Sequence, residues 1–425
     1  EVTSVLEGIN QPDLIPPCRI VAWETTRACN LACKHCRATA QSAAHPDELS
    51  FAEAVAFMDS LAALNKPPML IITGGEPLLR ADIYEIAAYA AKVGLRPVMA
   101  LNGTLLDEAS AQRIKDSGIL RCSISLDGPD AARHDALRGV PGAFEGALKG
   151  IAALKAVGLP FQINSTVTKG NLECFKDIAR LCEELGAAAW HLFLLVPAGR
   201  GAELSSEIIT AEEYEKLLNW FYDLRAETSM NLKATCAPHY YRILRQRARE
   251  EGIAVTPENF GLEAVTRGCL AGAGFCFVSH TGEVQPCGYL ELSCGNIRKT
   301  PFAEIWREAE VFKALRDPAA YAEKCGPCAY HRFCGGCRAR ALTMNGNYLA
   351  EEPLCSYRPG EKKAPPASNP ENIDFTDRRL LDIIQSDFPL DPQPYARLGE
   401  ELGLSEEECL ARVKALKKQG VIRRL

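Results

Sequence analysis

The sequence predicts an α/β chain in three parts: a partial (β/α)6 barrel, a cysteine-rich second domain and a small all-α unit. Six short apolar runs alternate with amphipathic segments of helical length, which is typical of parallel strands joined by helices. Cysteines then become dense, and three helical patterns follow a stretch rich in Pro and Lys. The predicted parts are an N-terminal extension (1–17), the barrel (18–232), the cysteine-rich domain (233–358), a linker (359–372) and the all-α unit (373–425).

Each apolar run has the length of a strand and ends near Gly, Pro, Asn or Thr. The runs are RIVAWETT, MLIITGGEP, RPVMALNG, RCSISLDG, PFQINSTV and WHLFLLVP. The first segment between them opens with a capping box formed by Ser50 and Glu53. Because such barrels carry their active sites at the carboxyl ends of the strands, we expect the functional residues there.

The later parts have different compositions. The region from Lys233 to Cys355 is irregular and rich in cysteine, as expected where metal ligation replaces a large core. Residues 359–372 contain Pro, Lys and Ala but few large apolar residues, which predicts a linker. Helical periodicity returns in three segments, Thr376–Ser386, Tyr395–Leu402 and Ser405–Gln419. Ser405 and Glu408 form a capping box at the start of the third segment.

Composition and charge exclude several classes of function. The formal net charge of −6 gives no basic surplus that would favour nucleic acid or an anionic membrane. No stretch approaches the ~20 apolar residues that a membrane helix needs, and no signal sequence opens the chain, so we expect a cytoplasmic protein. In a reducing compartment, eighteen cysteines favour metal ligation over a disulfide framework.

Three cysteines directly follow the first predicted strand. The segment ACNLACKHCRA places Cys29, Cys33 and Cys36 in a C-x3-C-x2-C loop. Three thiolates on one loop can ligate three irons of a [4Fe-4S] cluster and leave the fourth iron free to chelate S-adenosylmethionine. An electron passed into the sulfonium would then break a carbon–sulfur bond and release a 5′-deoxyadenosyl radical. A zinc site completed by His35 is the alternative.

The end of the second predicted strand, TGGEP, supports the cluster interpretation. Gly74 and Gly75 let backbone approach a ligand closely, and Glu76 can receive the ammonium group of a methionine moiety. The cysteine loop followed by this segment resembles the radical S-adenosylmethionine superfamily, which implies a partial TIM barrel. On that resemblance, the further cofactor-binding candidates are His35, Asn102, Ser125, Asp127 and Asn164. Turn or cap roles remain the alternative for the last four.

Two spaced sets of cysteines follow in the second part: C-x12-G-x4-C from Cys269 to Cys287, and C-x2-C-x5-C-x2-C from Cys325 to Cys337, with a later cysteine. They resemble the SPASM extension of radical enzymes, which carries auxiliary [4Fe-4S] clusters. The resemblance implies one cluster on Cys325, Cys328, Cys334 and Cys355, and another on Cys269, Cys287 and Cys337 with Cys276 as candidate fourth ligand. A zinc ribbon is the alternative for the paired cysteines. We expect the remaining cysteines to be buried hydrophobes: Cys18, Cys122, Cys174, Cys182, Cys236, Cys294 and Cys409.

A basic segment, KATCAPHYYRILRQRARE, joins the two parts. Lys233 leads into it, and His239, Arg242, Arg245 and Arg249 recur at three- to four-residue steps, which places several cations on one helical face. Guanidinium groups pair bidentately with carboxylates, so this face suits a ligand with several carboxylates. A solvated charged helix is the alternative.

The sequence around these sites resembles, over roughly Pro16 to Tyr357, the haem b synthase family of the haem pathway that starts from sirohaem. Segments such as VAWETTRACNLACKHCRA, AWHLFLLVPAGR and CGGCRARALTMNGNYLAEEPLCSY carry the resemblance. It implies conversion of iron-coproporphyrin III to haem b by oxidative decarboxylation of two propionates to vinyls, with an auxiliary cluster as electron acceptor. It also implies an electron donor such as a flavodoxin or ferredoxin. The candidates to meet the macrocycle iron are His191, His239, His280 and His331.

The last part resembles the helix-turn-helix of Lrp/AsnC-like sirohaem decarboxylases. Glu406, Glu407 and Glu408 open its third helix where DNA contacts would lie, so docking to another haem-pathway enzyme or dimerisation is favoured over DNA binding. Three alternative functions remain open: a peptide-modifying SPASM enzyme, an enzyme that removes acetate side chains from didecarboxysirohaem, and a haem-responsive regulator.

Overall fold

The computed structural model describes residues 15–360, 375–386 and 394–418. The chain divides into two compact units, Glu1–Pro359 and Gly360–Leu425. Most of the predicted N-terminal extension, most of the predicted linker and both ends of the predicted helix-turn-helix unit lie outside the described residues.

A single sheet organises the first unit. Its strands are β1 (Ile20–Glu24), β2 (Met69–Thr73), β3 (Arg96–Leu101), β4 (Cys122–Ser125), β5 (Phe161–Val167), β6 (Ala189–Leu194), β7 (Asn231–Thr235), β8 (Phe275–Val278), β9 (Glu283–Gln285) and β10 (Gly295–Asn296). They lie in the order β10-β9-β8-β1-β2-β3-β4-β5-β6-β7. Strand β9 pairs antiparallel with both β8 and β10, and all other neighbouring strands pair in parallel. The six predicted strands are β1 to β6, and the open α/β barrel is confirmed.

Four strands extend this sheet beyond the six that the sequence predicted. Strand β7 has the sequence NLKAT, and β8 has only four residues, so neither gives a long apolar run. Strand β7 crosses the predicted boundary between residues 232 and 233, and β8 pairs with β1. The domain boundaries therefore stay predictions, because the sheet continues from the barrel into the cysteine-rich region.

Helices cover one face of the sheet and continue through the cysteine-rich region. They are α1 (Phe51–Ala62), α2 (Ile83–Lys92), α3 (Glu108–Asp116), α4 (Ala131–Arg138), α5 (Ala143–Ala156), α6 (Phe175–Leu185), α7 (Ala211–Asp223), α8 (His239–Glu251), α9 (Pro257–Phe260), α10 (Leu262–Val265), α11 (Phe302–Glu308), α12 (Glu310–Arg316) and α13 (Arg338–Asn345). The predicted capping box at the start of α1 is confirmed, since Ser50 and Glu53 bond each other's backbone N–H.

Alternation along the strands separates a buried face from an inner face. In β5, Phe161, Ile163 and Val167 are buried in the core beneath the helices, whereas Gln162 and Asn164 are only half-buried. Neighbouring Trp190 stacks on Phe175 of α6, which marks the helix-covered side. Because successive side chains point to opposite faces, the half-buried polar residues line the interior of the open barrel.

The second unit contains α14 (Phe375–Ser386), α15 (Pro394–Leu402) and α16 (Glu406–Lys418). Its small core is built around Leu380, Leu398 and Cys409. The predicted Ser405–Glu408 capping box opens α16, with Glu408 N–H donating to Ser405 Oγ at 3.2 Å.

Within the residues that the structure describes, no helix is both long and apolar enough to cross a lipid bilayer.

Candidate functional site

The loop after β1 brings Cys29, Cys33 and Cys36 together at the carboxyl end of the strand. Its backbone is fixed at several points: Cys29 N–H donates to Gln41 O at 2.7 Å, and Cys36 N–H donates to Cys33 O at 3.3 Å. Burial raises the pKa of the Cys29 thiol to about 11. A bound metal centre would offset this burial and favour the thiolate, so the donor set fits an iron–sulfur cluster.

Gly74 and Gly75 let two backbone segments meet beside this loop. A Cβ atom at Gly74 would lie 2.6 Å from Thr26 O, and one at Gly75 would lie 2.2 Å from Ala28 O. Gly75 N–H and Glu76 N–H donate to these same two oxygens at 2.7 Å each. The glycines are thus required for the contact between the end of β2 and the entry to the cysteine loop.

Glu76 is fully buried and links the ends of two strands. Its Oε1 accepts a hydrogen bond from Leu78 N–H at 3.2 Å, and its Oε2 accepts one from Asn102 N–H at 2.8 Å. Burial raises the pKa of Glu76 to about 7. Binding of an ammonium group would favour the charged carboxylate. The surroundings of Glu76 therefore agree with the prediction that it receives the ammonium group of a methionine moiety.

The Asn102 side chain lies at the cysteine loop rather than deep in the barrel. Its Nδ2 donates to Asn30 Oδ1 at 2.8 Å and lies 4.0 Å from Cys29 Sγ. Its Oδ1 accepts from Thr104 N–H at 2.8 Å. These bonds are turn and bracing contacts, and a nucleoside contact by Asn102 stays a prediction.

Asp127 pairs with an arginine that the sequence did not single out. Arg138 Nη2 lies 2.6 Å from Asp127 Oδ2, and Arg138 Nη1 donates to Cys33 Sγ at 3.7 Å. His35 lies behind this pair, with its Nε2 3.9 Å from Asp127 Oδ2, and burial lowers the pKa of His35 to about 4. Asp127 and Arg138 therefore brace the cysteine loop with a buried cation beside one of its sulfurs. An arginine that ends a helix gave no signal for this role in the sequence.

A polar row crosses the barrel interior. Ser125, Asn164, His191 and Lys233 occupy successive register positions on β4, β5, β6 and β7. Gln162 Nε2 donates to Asn164 Oδ1 at 3.0 Å and lies 3.1 Å from His191 Nδ1. Burial and the neighbouring Lys233 lower the pKa of His191 to about 3, so its imidazole is neutral. The row presents neutral hydrogen-bonding groups and one cation to whatever enters the barrel.

The other three histidines predicted to meet a macrocycle iron lie elsewhere. His280 Nδ1 is 2.7 Å from Glu24 Oε1, and His331 Nδ1 is 2.8 Å from Cys328 O. His239 is buried beside Glu352. Of these four candidates, His191 belongs to the polar row of the barrel interior, His280 pairs with the last residue of β1, and the other two contact residues of the cysteine-rich region.

A small open cavity is lined by Cys325, Cys328, Cys334 and Cys355. Backbone N–H groups point at three of the sulfurs: Glu352 at Cys325 (3.3 Å), Tyr330 at Cys328 (3.4 Å) and Gly336 at Cys334 (3.4 Å). Arg338 Nη2 also donates to Cys325 Sγ at 3.7 Å. N–H groups aimed at sulfur stabilise negative charge there, so this cavity fits an iron–sulfur cluster.

Arg242 and Arg245 of the basic helix α8 have partners within the chain, and the role of this helix in binding a ligand with several carboxylates stays a prediction. Arg242 is buried, forms a bidentate ion pair with Glu215 of α7, and lines the cavity of the four cysteines, as does His239. The Arg245 guanidinium stacks on Phe333 at 3.7 Å, and burial lowers the pKa of Arg245 to about 10. The acidic and aromatic partners come from distant segments, which the spacing within α8 cannot reveal.

Cys269, Cys287 and Cys337 pack against one apolar group that includes Val196 and Leu290. Cys276 does not join them, which corrects its assignment as their fourth partner. It lies in β8, fully buried, with its Sγ 3.9 Å from Cys18 Sγ. Its position beside β1 turns it toward the core beneath the helices. The fourth thiol in the group is Cys236, which the sequence interpretation treated as a buried hydrophobe.

Arg37 and Tyr289 lie between this group and the cysteine loop of the barrel. Arg37, next to Cys36, pairs with Glu24 Oε2 at 3.1 Å and lies 4.3 Å above the Phe277 ring. A Cβ atom at Gly288, next to Cys287, would lie 3.0 Å from Arg37 Nε. Burial raises the pKa of Tyr289, and its side chain lies close enough to Cys36, Cys236 and Cys287 for negative charge on these thiols to raise it further. The two cysteine sites therefore share side chains at their boundary.

Among the described residues, no three His, Cys, Asp or Glu side chains converge on the position of a single metal ion. A [4Fe-4S] cluster instead places its thiolates at separate corners of a cube. The three sets of thiols, each gathered around one loop, cavity or apolar group, fit that donor chemistry.

Three family models match the chain. The Radical SAM superfamily matches residues 23–182, an iron-sulfur cluster-binding domain named SPASM matches residues 269–337, and a siroheme decarboxylase NirDL-like HTH domain matches residues 377–423. These matches confirm [4Fe-4S] clusters and S-adenosylmethionine as the cofactors.

Similar proteins agree with this assignment. The chain is 62% identical over 344 residues to an AdoMet-dependent heme synthase of Nitratidesulfovibrio vulgaris, covering 81% of this chain and 94% of that relative. It is 32% identical to an Fe-coproporphyrin III synthase of Methanosarcina barkeri, covering 79% and 87%. Its fold is similar to that of Streptococcus suis SuiB bound to S-adenosylmethionine, with a TM-score of 0.63, 16% identity and coverage of 81% and 78%. The chain belongs to the radical SAM superfamily, within the family of the AdoMet-dependent heme synthases.

Proposed function

We propose that this protein converts iron-coproporphyrin III to haem b by oxidative decarboxylation of two propionate side chains to vinyl groups. The long match to an AdoMet-dependent heme synthase is the observation that carries the proposal. The match to an Fe-coproporphyrin III synthase, at 32% identity, is much weaker. We therefore assign the chain to the reaction that consumes iron-coproporphyrin III and not to the one that forms it.

Lys233 is the residue that we assign to substrate binding in the barrel. It lies in the same register row as His191, and burial lowers its pKa, with Glu263 opposing that shift. A propionate entering the barrel would pair with the ammonium group and favour its charged form. Loss of two of the four carboxylates during the reaction would weaken this attraction and favour release of the product.

Each propionate side chain becomes a vinyl group by losing one carbon dioxide, one hydrogen atom and one electron. The bound radical cluster and S-adenosylmethionine supply the group that accepts the hydrogen atom. The chain contributes position and charge: Arg138 and Asp127 hold the cysteine loop, Glu76 is available to an ammonium group, and the polar row orients the macrocycle. The auxiliary sites are our candidates for taking up the electron.

The test uses the full chain, purified and reconstituted without oxygen. Protein, a reductant, S-adenosylmethionine and iron-coproporphyrin III are incubated, and the tetrapyrrole is examined by mass spectrometry. We expect the loss of two carboxyl groups together with formation of 5′-deoxyadenosine. In a parallel incubation, didecarboxysirohaem replaces iron-coproporphyrin III. If 5′-deoxyadenosine forms and only didecarboxysirohaem is changed, the enzyme instead removes acetate side chains from didecarboxysirohaem.

We further propose a cytoplasmic location and a flavodoxin or ferredoxin as electron donor. All eighteen cysteines are free thiols, which suits a reducing compartment. For the C-terminal unit we propose docking to another haem-pathway enzyme, because Glu406 to Glu408 place negative charge at the start of α16 where DNA phosphates would lie. A pull-down with purified sirohaem decarboxylase, compared with a DNA mobility shift, would separate these roles.

A further inference from the structure

Four thiols, not three, are gathered in one apolar group at the junction of the barrel and the cysteine-rich region. Cys236, Cys269, Cys287 and Cys337 all pack against the same apolar group. The Cys236 and Cys337 side chains are immediate neighbours, and Cys287 interacts with Cys236, Cys269 and Cys337. The thiols come from four separate segments, and one of them follows the last residue of β7.

The backbone holds Cys236 in an unusual conformation. Its φ is +54°, in the left-handed region that residues other than glycine seldom adopt. Its carbonyl oxygen accepts a 2.6 Å hydrogen bond from Arg340, a fully buried arginine that also bonds Leu195 O and Glu352. Strained conformations of this kind persist where the surrounding structure fixes them and are frequent at functional sites.

The alternative partner for the three thiols is excluded by its position. Cys276 faces Cys18 in the core, with Arg316 and Cys294 as its further neighbours. Cys236, by contrast, shares its surroundings with Tyr289, Cys287 and Cys337. Both residues are cysteines in the same unit, so they form a matched pair for an experiment.

We propose that Cys236 is the fourth thiolate ligand of the auxiliary cluster held by Cys269, Cys287 and Cys337. A [4Fe-4S] cluster with four thiolates has no open iron. The site therefore exchanges electrons and does not coordinate a substrate. This proposal depends on the presence of the auxiliary cluster and not on which tetrapyrrole reacts, so its test needs no tetrapyrrole.

The experiment compares Cys236→Ala with Cys276→Ala in the full chain, reconstituted without oxygen. Iron and sulfide are measured per chain, and the dithionite-reduced and oxidised proteins are examined by electron paramagnetic resonance (EPR). With three clusters of four irons, we expect Cys236→Ala to fall from about twelve toward about eight irons, or to show an oxidised three-iron signal. Cys276→Ala is expected to match the unchanged chain in both measurements.

A second variant keeps the proposal testable if Cys236→Ala folds poorly. Cys236→Ser retains the size of the side chain and offers an oxygen ligand, so we expect near-normal iron with a shifted EPR spectrum of one cluster. Cleavage of S-adenosylmethionine without tetrapyrrole reports whether the barrel and its own cluster are intact. Unchanged iron and unchanged EPR spectra in both Cys236 variants would overturn the proposal. So would loss of the same cluster from Cys276→Ala.

Discussion

The cysteine loop of the barrel and the cysteine sites of the second region differ in how their thiols are brought together. Cys29, Cys33 and Cys36 lie on one loop of eight residues, fixed by its own backbone hydrogen bonds. The thiols near Cys337 come from four segments spread over about a hundred residues, and tertiary packing makes them neighbours. A local site is therefore readable from spacing, whereas a dispersed site depends on long-range contacts that spacing does not encode.

The largest expected effect separates the two regions directly. Cys33→Ala removes a predicted ligand from the loop, so we expect cleavage of S-adenosylmethionine to fall by at least ~10³-fold. Substitution of residues that only contact metal ligands typically costs about 10- to 100-fold. Cys328→Ala removes a predicted ligand from the four-cysteine cavity and should leave this cleavage within about twofold of the original, because that cavity is a separate site. The assay is 5′-deoxyadenosine formation without tetrapyrrole. Equal losses in both variants would mean that the regions are one functional unit.

Two arginines allow a finer comparison, because each donates to a cysteine sulfur at 3.7 Å. Arg138→Gln should lower S-adenosylmethionine cleavage by about 10- to 100-fold, since it removes the buried cation beside Cys33. Arg338→Gln should leave cleavage unchanged and lower the midpoint potential of one auxiliary cluster, because reduction adds negative charge there. Potentiometric titration followed by EPR measures the second effect. An unchanged auxiliary potential in Arg338→Gln would contradict this role.

The third prediction concerns the barrel interior and tests our assignment of Lys233. Lys233→Met should weaken binding of iron-coproporphyrin III about tenfold, the loss expected for one charge-assisted hydrogen bond. Arg249→Met removes an exposed cation of α8 and serves as the control. Affinities are measured by absorbance titration. If Arg249→Met weakens binding as much as Lys233→Met, the attraction is a general effect of charge.

The smallest effect concerns an exposed contact between the two regions. Arg298, just after β10, pairs with Glu53 of α1 at 2.6 Å. In Glu53→Gln the amide oxygen still accepts from Ser50 N–H, so the capping box remains and only the ion pair is lost. We expect the free energy of unfolding to fall by no more than ~1 kcal/mol, and less at high salt. Anaerobic denaturant titration tests this, and a loss above ~2 kcal/mol would show that the contact is not an ordinary surface pair.

The sequence interpretation was accurate for features built from one short segment and less accurate for contacts between distant segments. Strands β1 to β6, the capping boxes of α1 and α16 and the cysteine loop all rest on short-range patterns. The pairing of Arg242 with Glu215 and the position of Cys276 beside Cys18 do not. In these cases helical spacing and cysteine spacing were visible, but the partner on another segment was not.

Cys236 shows which signal could have been used. It comes directly after β7, at the carboxyl end of a parallel strand, which is where this type of barrel places functional side chains. Strand β7 was not predicted because NLKAT has few large apolar residues, so its end could not be recognised. One missed strand thus concealed one candidate ligand.

Arg37 has a consequence for how the two metal sites affect each other. Its guanidinium group interacts with Cys287 of one site and lies close to Gly288, and its main chain directly follows Cys36 of the other site. A fixed positive charge favours the reduced form of a nearby cluster because reduction adds negative charge, and the paired Glu24 carboxylate partly offsets this effect. Loss of the Arg37 charge should then lower the potentials of both clusters together, so that one side chain influences both metal sites.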